Sequence, residues 1–308
     1  MGKTVAGMAP EAHRLEDWIR AAAELMDDAG LCFAHGTDNA LDEACWLASA
    51  VLGWPPDFDA ELFNHALSQA QQARLDRVLT QRIRTRQPLA YLLGEAWLAG
   101  LSFEVNEHVL VPRSPLAELI LDGFEPWLPA DRLHRAVDVG TGSGCLAIAL
   151  AYHHPGLAVD ALDVSPEALA LARRNVARHG LEDRVRVIKS DLLADVRGER
   201  YDLILSNPPY VPSRSMEALP AEFNHEPRLG LEAGDDGLDL VRDLLRQAPE
   251  HLDGQGVLVC EVGEAAEALH DLLAPVIEPI WLEFAHGGDG VFLLEADACR
   301  TAAAFLDR

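Results

Sequence analysis

The sequence predicts a two-part α/β protein: a small helical bundle, a short β-hairpin, and a sheet of mostly parallel strands wound on both faces. Three observations carry this. The first ninety residues keep apolar positions at helical spacing, and from Leu133 short β-branched runs alternate with helical stretches. The last two apolar runs are joined only by His286-Gly-Gly-Asp-Gly290, too short for a crossover helix, so they should be antiparallel neighbours. The expected division is residues 1–92 (helical), 93–115 (hairpin linker) and 116–308 (sheet).

Each element has a local reason. A helix over 9–30 places Leu15, Ile19, Ala22 and Leu25 on one face and ends at Gly30. Asp38 is placed to cap a second helix that turns Leu41, Ala44, Ala48 and Val51 inward. Ser68 with Gln71 forms a capping-box pattern before a third helix, which runs through Arg86 until Pro88 stops it. LSFEV (101–105) and HVLVP (108–112), separated by Asn106-Glu107, read as a hairpin. Pro112 and Pro115 mark the linker, and ELILDGFEPWL begins another helix. AVDVG, LAVDALD, VRVIKS, YDLILS and GVLVCEV then read as buried parallel strands, with helices such as 166–179 and 238–252 between them. VIEPIWLEFA and VFLLEA form the closing pair.

Charge narrows the partners. Twenty-five Lys and Arg stand against 50 Asp and Glu, a net charge of −25 in 308 residues. Such a surface repels a phosphate backbone and favours a cationic macromolecule, or a substrate indifferent to charge. The five cysteines include no CxxC, and the twelve histidines no metal-binding spacing, so free thiols and no metal are expected. No apolar run reaches the roughly 18 residues of a membrane span. The opening residues read neither as a signal peptide nor as a lipidation motif, so a cytoplasmic protein is expected.

The first candidate site is Asp138-Val-Gly140-Thr141-Gly142-Ser-Gly144, at the end of a predicted strand and the start of a helix. Glycines there let a ligand approach the backbone and meet helix N-terminal N–H groups. The spacing is neither that of dinucleotide binders nor a P-loop, so a phosphate grip is not indicated. Asp163 ends the next strand, where a carboxylate can accept two ribose hydroxyls; it could instead serve only the helix start at Ser165-Pro166. Asp191 ends the third strand, where it can accept the amine of adenine. An anionic rim of Asp138, Asp163 and Asp191 suits a cationic adenosyl ligand such as S-adenosylmethionine.

The second is Asn207-Pro208-Pro209-Tyr210, directly after YDLILS. Two prolines make the loop rigid and supply no donors. A planar amide or aromatic amine is a poor nucleophile because its lone pair is delocalised. The Asn207 side-chain oxygen and the Pro208 carbonyl can accept its two N–H bonds, and Tyr210 offers a flat face against it.

Together these motifs resemble those of the seven-stranded, Rossmann-like class I methyltransferases that modify amide or adenine nitrogens. The helical N-terminus and the hairpin narrow the likeness to the protein glutamine N5-methyltransferases. His35-Gly-Thr-Asp-Asn39, Asp42-Glu43-Ala44 and Val111-Pro-Arg-Ser-Pro115 with Glu118-Leu119 resemble the branch acting on large-subunit ribosomal protein L-three. Release-factor enzymes typically carry Arg-Pro-Asp-Thr-Glu where this chain has Pro112-Arg-Ser-Pro-Leu116. His225-Glu-Pro-Arg228, Gly234-Asp-Asp-Gly-Leu238 and Gly287-Gly-Asp-Gly-Val291 extend the likeness, which covers about residues 31–295.

The resemblance implies a sheet whose last strand is antiparallel, and methyl transfer from S-adenosylmethionine to a glutamine side-chain nitrogen, leaving S-adenosylhomocysteine. It implies that Asp138, Gly140, Thr141, Gly142, Gly144, Asp163, Asp191, Leu192 and Asn207 face the cofactor. Asn207, Pro208, Pro209 and Tyr210 would hold the glutamine. Leu192 stands where relatives often place an aromatic residue against adenine. The implied partner is a basic ribosomal protein, recognised through the helical domain, with indirect ribosomal RNA contact as a further possibility.

Three other readings compete: a release-factor enzyme, an adenine-N6 methyltransferase using the same Asn-Pro-Pro-Tyr logic, and a non-enzymatic chaperone for a basic ribosomal protein. Arg74, Arg77, Arg82, Arg84 and Arg86 could touch RNA, but at helical spacing they read as a solvated face. Tyr91, Trp97 and Phe103 read as packing between helix and hairpin, and Ser143 lacks the flanks of a hydrolase elbow.

Overall fold

The computed structural model describes residues 14–55, 59–285 and 287–308. Its chain forms two compact units, Met1–Glu95 with Pro220–His225, and Ala96–Leu219 with Glu226–Arg308.

The first unit is built from α1 (Leu15–Asp28), α2 (Ala40–Leu52), α3 (Gln69–Thr85) and α4 (Leu89–Leu93). Its core is Leu15, Trp18, Ile19, Ala22 and Met26 against Ala44, Leu47, Leu75 and Leu79. The part of the predicted first helix before Arg14 lies outside the described residues. Where α1 ends, Gly30 N–H bonds to the Asp27 carbonyl and Leu31 N–H to that of Met26, the paired bonds of a Schellman motif. The capping box of α3 is present at Ser68 and Gln71. The cap of α2 is Asn39 rather than Asp38: Asn39 Oδ1 accepts the Asp42 N–H at 2.9 Å, while Asp38 accepts from the Asn39 amide at 2.6 Å.

The arginine run is a solvated face only in part. Arg82 is fully buried, bonded to Glu43 at 2.7 Å and the Cys32 carbonyl at 3.0 Å, and lies 3.5 Å from Glu222. Arg86 binds the Ala29 and Gly30 carbonyls and Glu222, and Arg74 bonds the Val51 carbonyl. Arg74, Arg77 and Arg84 are exposed. His35 is buried with its ring 4.6 Å from that of Phe223, and the Thr37 hydroxyl donates to Glu43. Within the His35–Asn39 motif, His35 and Thr37 thus serve the internal packing of this unit, while Gly36, Asp38 and Asn39 are exposed.

The second unit begins with a hairpin, β1 (Glu95–Leu98) and β2 (Leu101–Glu104), one strand earlier than expected: the expected first strand is the second of the pair. Ala99 and Gly100 are both left-handed, the backbone of a tight two-residue turn whose twist matches the strands. The expected second strand, 108–112, pairs with no strand; its Val111 N–H bonds to the Glu226 carboxylate at 3.0 Å. Phe103 is buried beside His179, but Trp97 stays exposed on the hairpin.

Then follow α5 (Leu116–Asp122), β3 (Arg135–Val139), α6 (Cys145–His153), β4 (Ala158–Asp163), α7 (Pro166–Arg178), β5 (Val185–Lys189) and β6 (Tyr201–Ser206). The chain closes with α8 (Asp239–His251), β7 (Leu252–Glu261), α9 (Ala266–Leu273), β8 (Ile280–Leu282), β9 (Val291–Glu295) and α10 (Ala296–Leu306). The seven-stranded sheet has the order β5-β4-β3-β6-β7-β9-β8, with β9 antiparallel to both neighbours.

Period-two alternation covers both faces. Leu203, Leu205, Val257, Val259, Val291 and Leu293 meet α5 and α6. Ile204, Leu258, Cys260, Phe292 and Leu294 meet α8, α9 and α10. Truncating a fully buried side chain such as Phe292 to Ala costs about 3–5 kcal/mol.

Candidate active site

The strand register gathers the motif residues at one edge. Val139 pairs with Leu162 on one side and Ser206 on the other, so Gly140, Asp163 and Asn207 follow at the same level. Asp163 pairs with Lys189, and Ser206 with Cys260, which adds Lys189 and Glu261 to the row. Glu261 pairs with Val291, so Gly290 lies just beyond the row, beside Val262. β3 sits where the strand order reverses, the place at which open α/β sheets carry a ligand crevice beyond their carboxyl ends.

Gly140, Gly142 and Gly144 are all left-handed, at φ 77°, 55° and 83°. A Cβ on Gly144 would press at 3.3 Å on Ala172 and Ile148, so that glycine serves close helix packing. Cβ atoms on Gly140 or Gly142 would meet nothing within 4 Å: the space above the loop is open to a ligand. The Gly140 and Thr141 N–H groups both bond the Leu162 carbonyl, fixing the loop to β4.

Asp138 is completely buried beneath this loop. Its Oδ2 accepts the Thr141 hydroxyl at 2.6 Å and the Ala147 N–H at 3.1 Å. Its Oδ1 has no donor among the described residues. Burial pushes this carboxyl up to about 7 against those two bonds. A buried acceptor without a donor fits a cationic N–H group such as the ammonium of S-adenosylmethionine.

Asp163 accepts the Gly142 N–H at 2.9 Å and the Ser165 N–H at 2.8 Å, and burial raises its pKa. The cap of α7 is Ser165, whose hydroxyl accepts the Ala168 N–H, so Asp163 buttresses the glycine loop. It keeps lone pairs for further donors. Asp191 is exposed, two residues beyond β5. Leu192 is left-handed, half buried against the core beside α8, with its carbonyl accepting the Ser190 hydroxyl at 2.7 Å.

The 207–210 loop is pinned on both sides. The Ser206 hydroxyl donates to the Val139 carbonyl at 2.7 Å, and Val211 N–H to the Leu231 carbonyl at 2.8 Å. Tyr210 packs where no side chain could intrude: a Cβ on Gly263 would lie 2.6 Å from its ring, and one on Gly237 2.2 Å from its carbonyl oxygen. The Tyr210 hydroxyl donates to Glu261 Oε1 at 3.1 Å, and the Ser114 hydroxyl to Oε2 at 2.6 Å. Burial raises the Glu261 carboxyl, while the two hydroxyls and nearby Arg113 lower it. Arg113 in turn makes a two-pronged bond to Glu226, at 2.6 Å for each prong.

Sequence reasoning quoted Ser114, Glu226 and Gly237 inside motifs without assigning them a task, and passed over Glu261 and Gly263. A carboxylate closing an apolar strand level with Asn207 was the available signal. Among the described residues no group of three or more His, Cys, Asp or Glu is arranged to hold a metal ion, and no helix is long and apolar enough to cross a membrane.

Comparison with known proteins gives two family matches. The "PrmC N-terminal domain" family matches residues 17–94, and the "Methyltransferase small domain" family residues 122–225. The chain is 48% identical over 291 residues to the "Ribosomal protein uL3 glutamine methyltransferase" of Xanthomonas campestris pv. campestris, covering 94% of each. It is 47% identical to the protein of the same name from Xylella fastidiosa (97% of this chain, 95% of that one). Against that from Francisella tularensis it is 40% identical, covering 92% of this chain and 91% of the other. Among solved structures, the hMettl16 catalytic domain in complex with the MAT2A 3′UTR hairpin 6 shares the fold, with a TM-score of 0.51 and 20% identity over 80% of this chain and 91% of that one.

Proposed function

The chain belongs to the ribosomal protein uL3 glutamine methyltransferases, and from that premise we propose that it methylates the side-chain amide nitrogen (N5) of a glutamine in uL3, a basic protein of the large subunit. The observation that carries the reading is the shared level of Gly140, Asp163 and Asn207: a cofactor loop and an amide-accepting loop on adjacent strands.

S-Adenosylmethionine, when bound, supplies the methyl: its S–CH3 bond breaks as the N–CH3 bond forms, leaving S-adenosylhomocysteine. The chain's own residues bind and orient. Asp138 Oδ1 takes the cofactor's ammonium, Asp163 the ribose hydroxyls and Asp191 the adenine amine, with Leu192 beside the base. Gly140, Thr141, Gly142 and Gly144 shape the loop that admits it. Asn207 Oδ1 and the Pro208 carbonyl each accept one N–H of the glutamine amide, while Pro209 stiffens the loop and the Tyr210 ring lies against the amide plane. Alkylation makes the nitrogen's proton acidic, so it departs without a strong base. Alignment of this kind is worth up to roughly 7–11 kcal/mol of barrier.

The helical unit is the docking part for the basic substrate, consistent with the net charge of −25. The site of action is the cytoplasm. The internal use of Arg82 and Arg86 removes those two from the basic run that could meet RNA.

The test is incubation of the purified protein with uL3, a release factor and an adenine-containing duplex, each with labelled cofactor, followed by peptide mapping. One methyl on a uL3 glutamine is expected. Transfer only to the duplex or the release factor, or none at all, refutes the reading.

A further inference from the structure

Resting on the glutamine reading above, we propose that Glu261 is a positioning residue: its carboxylate locks the Tyr210 ring and ties the Asn207-Pro208-Pro209-Tyr210 loop to the 111–116 segment. Glu261 closes β7 at the level of Asn207, one strand away. Its two oxygens are divided between two hydroxyls, Tyr210 at 3.1 Å and Ser114 at 2.6 Å. Ser114 in turn accepts the Leu116 N–H at 3.2 Å, at the start of α5. One buried carboxylate thus joins the far end of the Tyr210 side chain to Ser114, 96 residues earlier in the chain.

Both oxygens are already engaged with protein hydroxyls, which makes the group an orienter of Tyr210 rather than a partner of the substrate nitrogen. The backing is rigid. A Cβ on Gly290 would lie 2.4 Å from the Gly263 carbonyl oxygen, and Gly263 itself abuts the Tyr210 ring. Val262 N–H bonds the Gly290 carbonyl at 2.7 Å, so the wall behind the ring is held by β9. The backbone bonds at Val211 fix where the loop leaves. The phenol bond fixes how the ring is turned.

The test compares Glu261→Leu, Glu261→Gln and Tyr210→Phe in the full chain. Glu261→Leu should lower kcat on uL3 about 10²-fold, the scale of a small misplacement, with KM and S-adenosylhomocysteine affinity within about threefold. Glu261→Gln, which keeps an acceptor, should recover most of that loss. The Glu261→Leu/Tyr210→Phe double variant should be no worse than the poorer single one.

A second arm needs no substrate. Hydrogen exchange at the Val211 amide should speed up about tenfold or more in Glu261→Leu and return toward wild type in Glu261→Gln. Additive losses in the double variant, a glutamine variant no better than the leucine one, or unchanged exchange overturns the proposal. If the wild type leaves uL3 unmethylated, the function reading falls, and the exchange arm alone decides the tie. If Glu261→Leu does not fold, Tyr210→Phe and Ser114→Ala carry both arms, and unchanged kcat with unchanged exchange in both overturns the tie.

Discussion

Replacing Asp138 by Asn should stabilise the unliganded protein while weakening its cofactor site. An Asn can keep the two bonds that Oδ2 accepts from Thr141 and Ala147, and it removes a charge from a completely buried position. The native carboxyl titrates at about 7 in the fold because burial disfavours the anion. A carboxylate in the unfolded chain titrates near about 4. Between these values the folded state holds the proton more tightly, so native stability is fully present below about pH 4 and declines as pH rises toward about 7. Above that pH the loss levels off, at a ceiling on the order of 4 kcal/mol.

The asparagine variant lacks this term. Its stability advantage should therefore grow from about pH 4 to about pH 7 and then hold. Binding goes the other way. Oδ1, the acceptor without a donor, becomes an NH2, and a charged acceptor for the cofactor's ammonium is gone. The loss is roughly 1.5–3 kcal/mol, about 10- to 150-fold in affinity. Denaturant unfolding at pH 5 and pH 8 measures the first effect, and calorimetry with S-adenosylhomocysteine the second. A variant less stable at pH 8, or one that binds as tightly as wild type, refutes the reasoning.

Asn207→Ala should reduce turnover by about 10²–10³ while cofactor affinity stays within a few fold, as steady-state kinetics paired with calorimetry would record. Gly237→Ala should cost at least about 1–2 kcal/mol, since it forces a left-handed residue and drives a Cβ to 2.2 Å from the Tyr210 carbonyl; thermal unfolding checks this. Arg82→Met should destabilise by about 3–5 kcal/mol in denaturant titration, because it leaves Glu43 and Glu222 buried with a lost partner. For the basic substrate, kcat/KM should fall as salt is raised while kcat hardly moves.

Much of this was legible in the chain. The seven strands announce themselves because each is a short, mainly apolar run, and the carboxyl ends of β3, β4 and β6 carry their motifs in sequence. What was illegible depended on partners distant in sequence. HVLVP alternates like a strand, yet Val111 gives its N–H to the carboxylate of Glu226. Asp38 and Asn39 are adjacent candidates for one cap, and only the path of the backbone selects Asn39. The arginine run displays charge but not Glu43 or Glu222, which draw Arg82 and Arg86 inward. Glu261 sits in an apolar run whose alternation says nothing about the hydroxyls waiting across the sheet edge.

The six residues Pro220–His225 belong to the helical unit although they are made roughly 125 residues after it. At about 5–20 residues per second, the ribosome would deliver Glu222 some 6–25 s after Glu95. During that interval Arg82 has Glu43 but lacks Glu222, and Phe223 is not yet beside His35. The N-terminal unit is thus first in synthesis but is complete only after Pro220–His225 have been made, when β7, β8 and β9 of the sheet unit have still to follow. Nascent chains arrested before residue 220 should yield residues 15–93 to protease more readily than chains arrested after the segment has emerged.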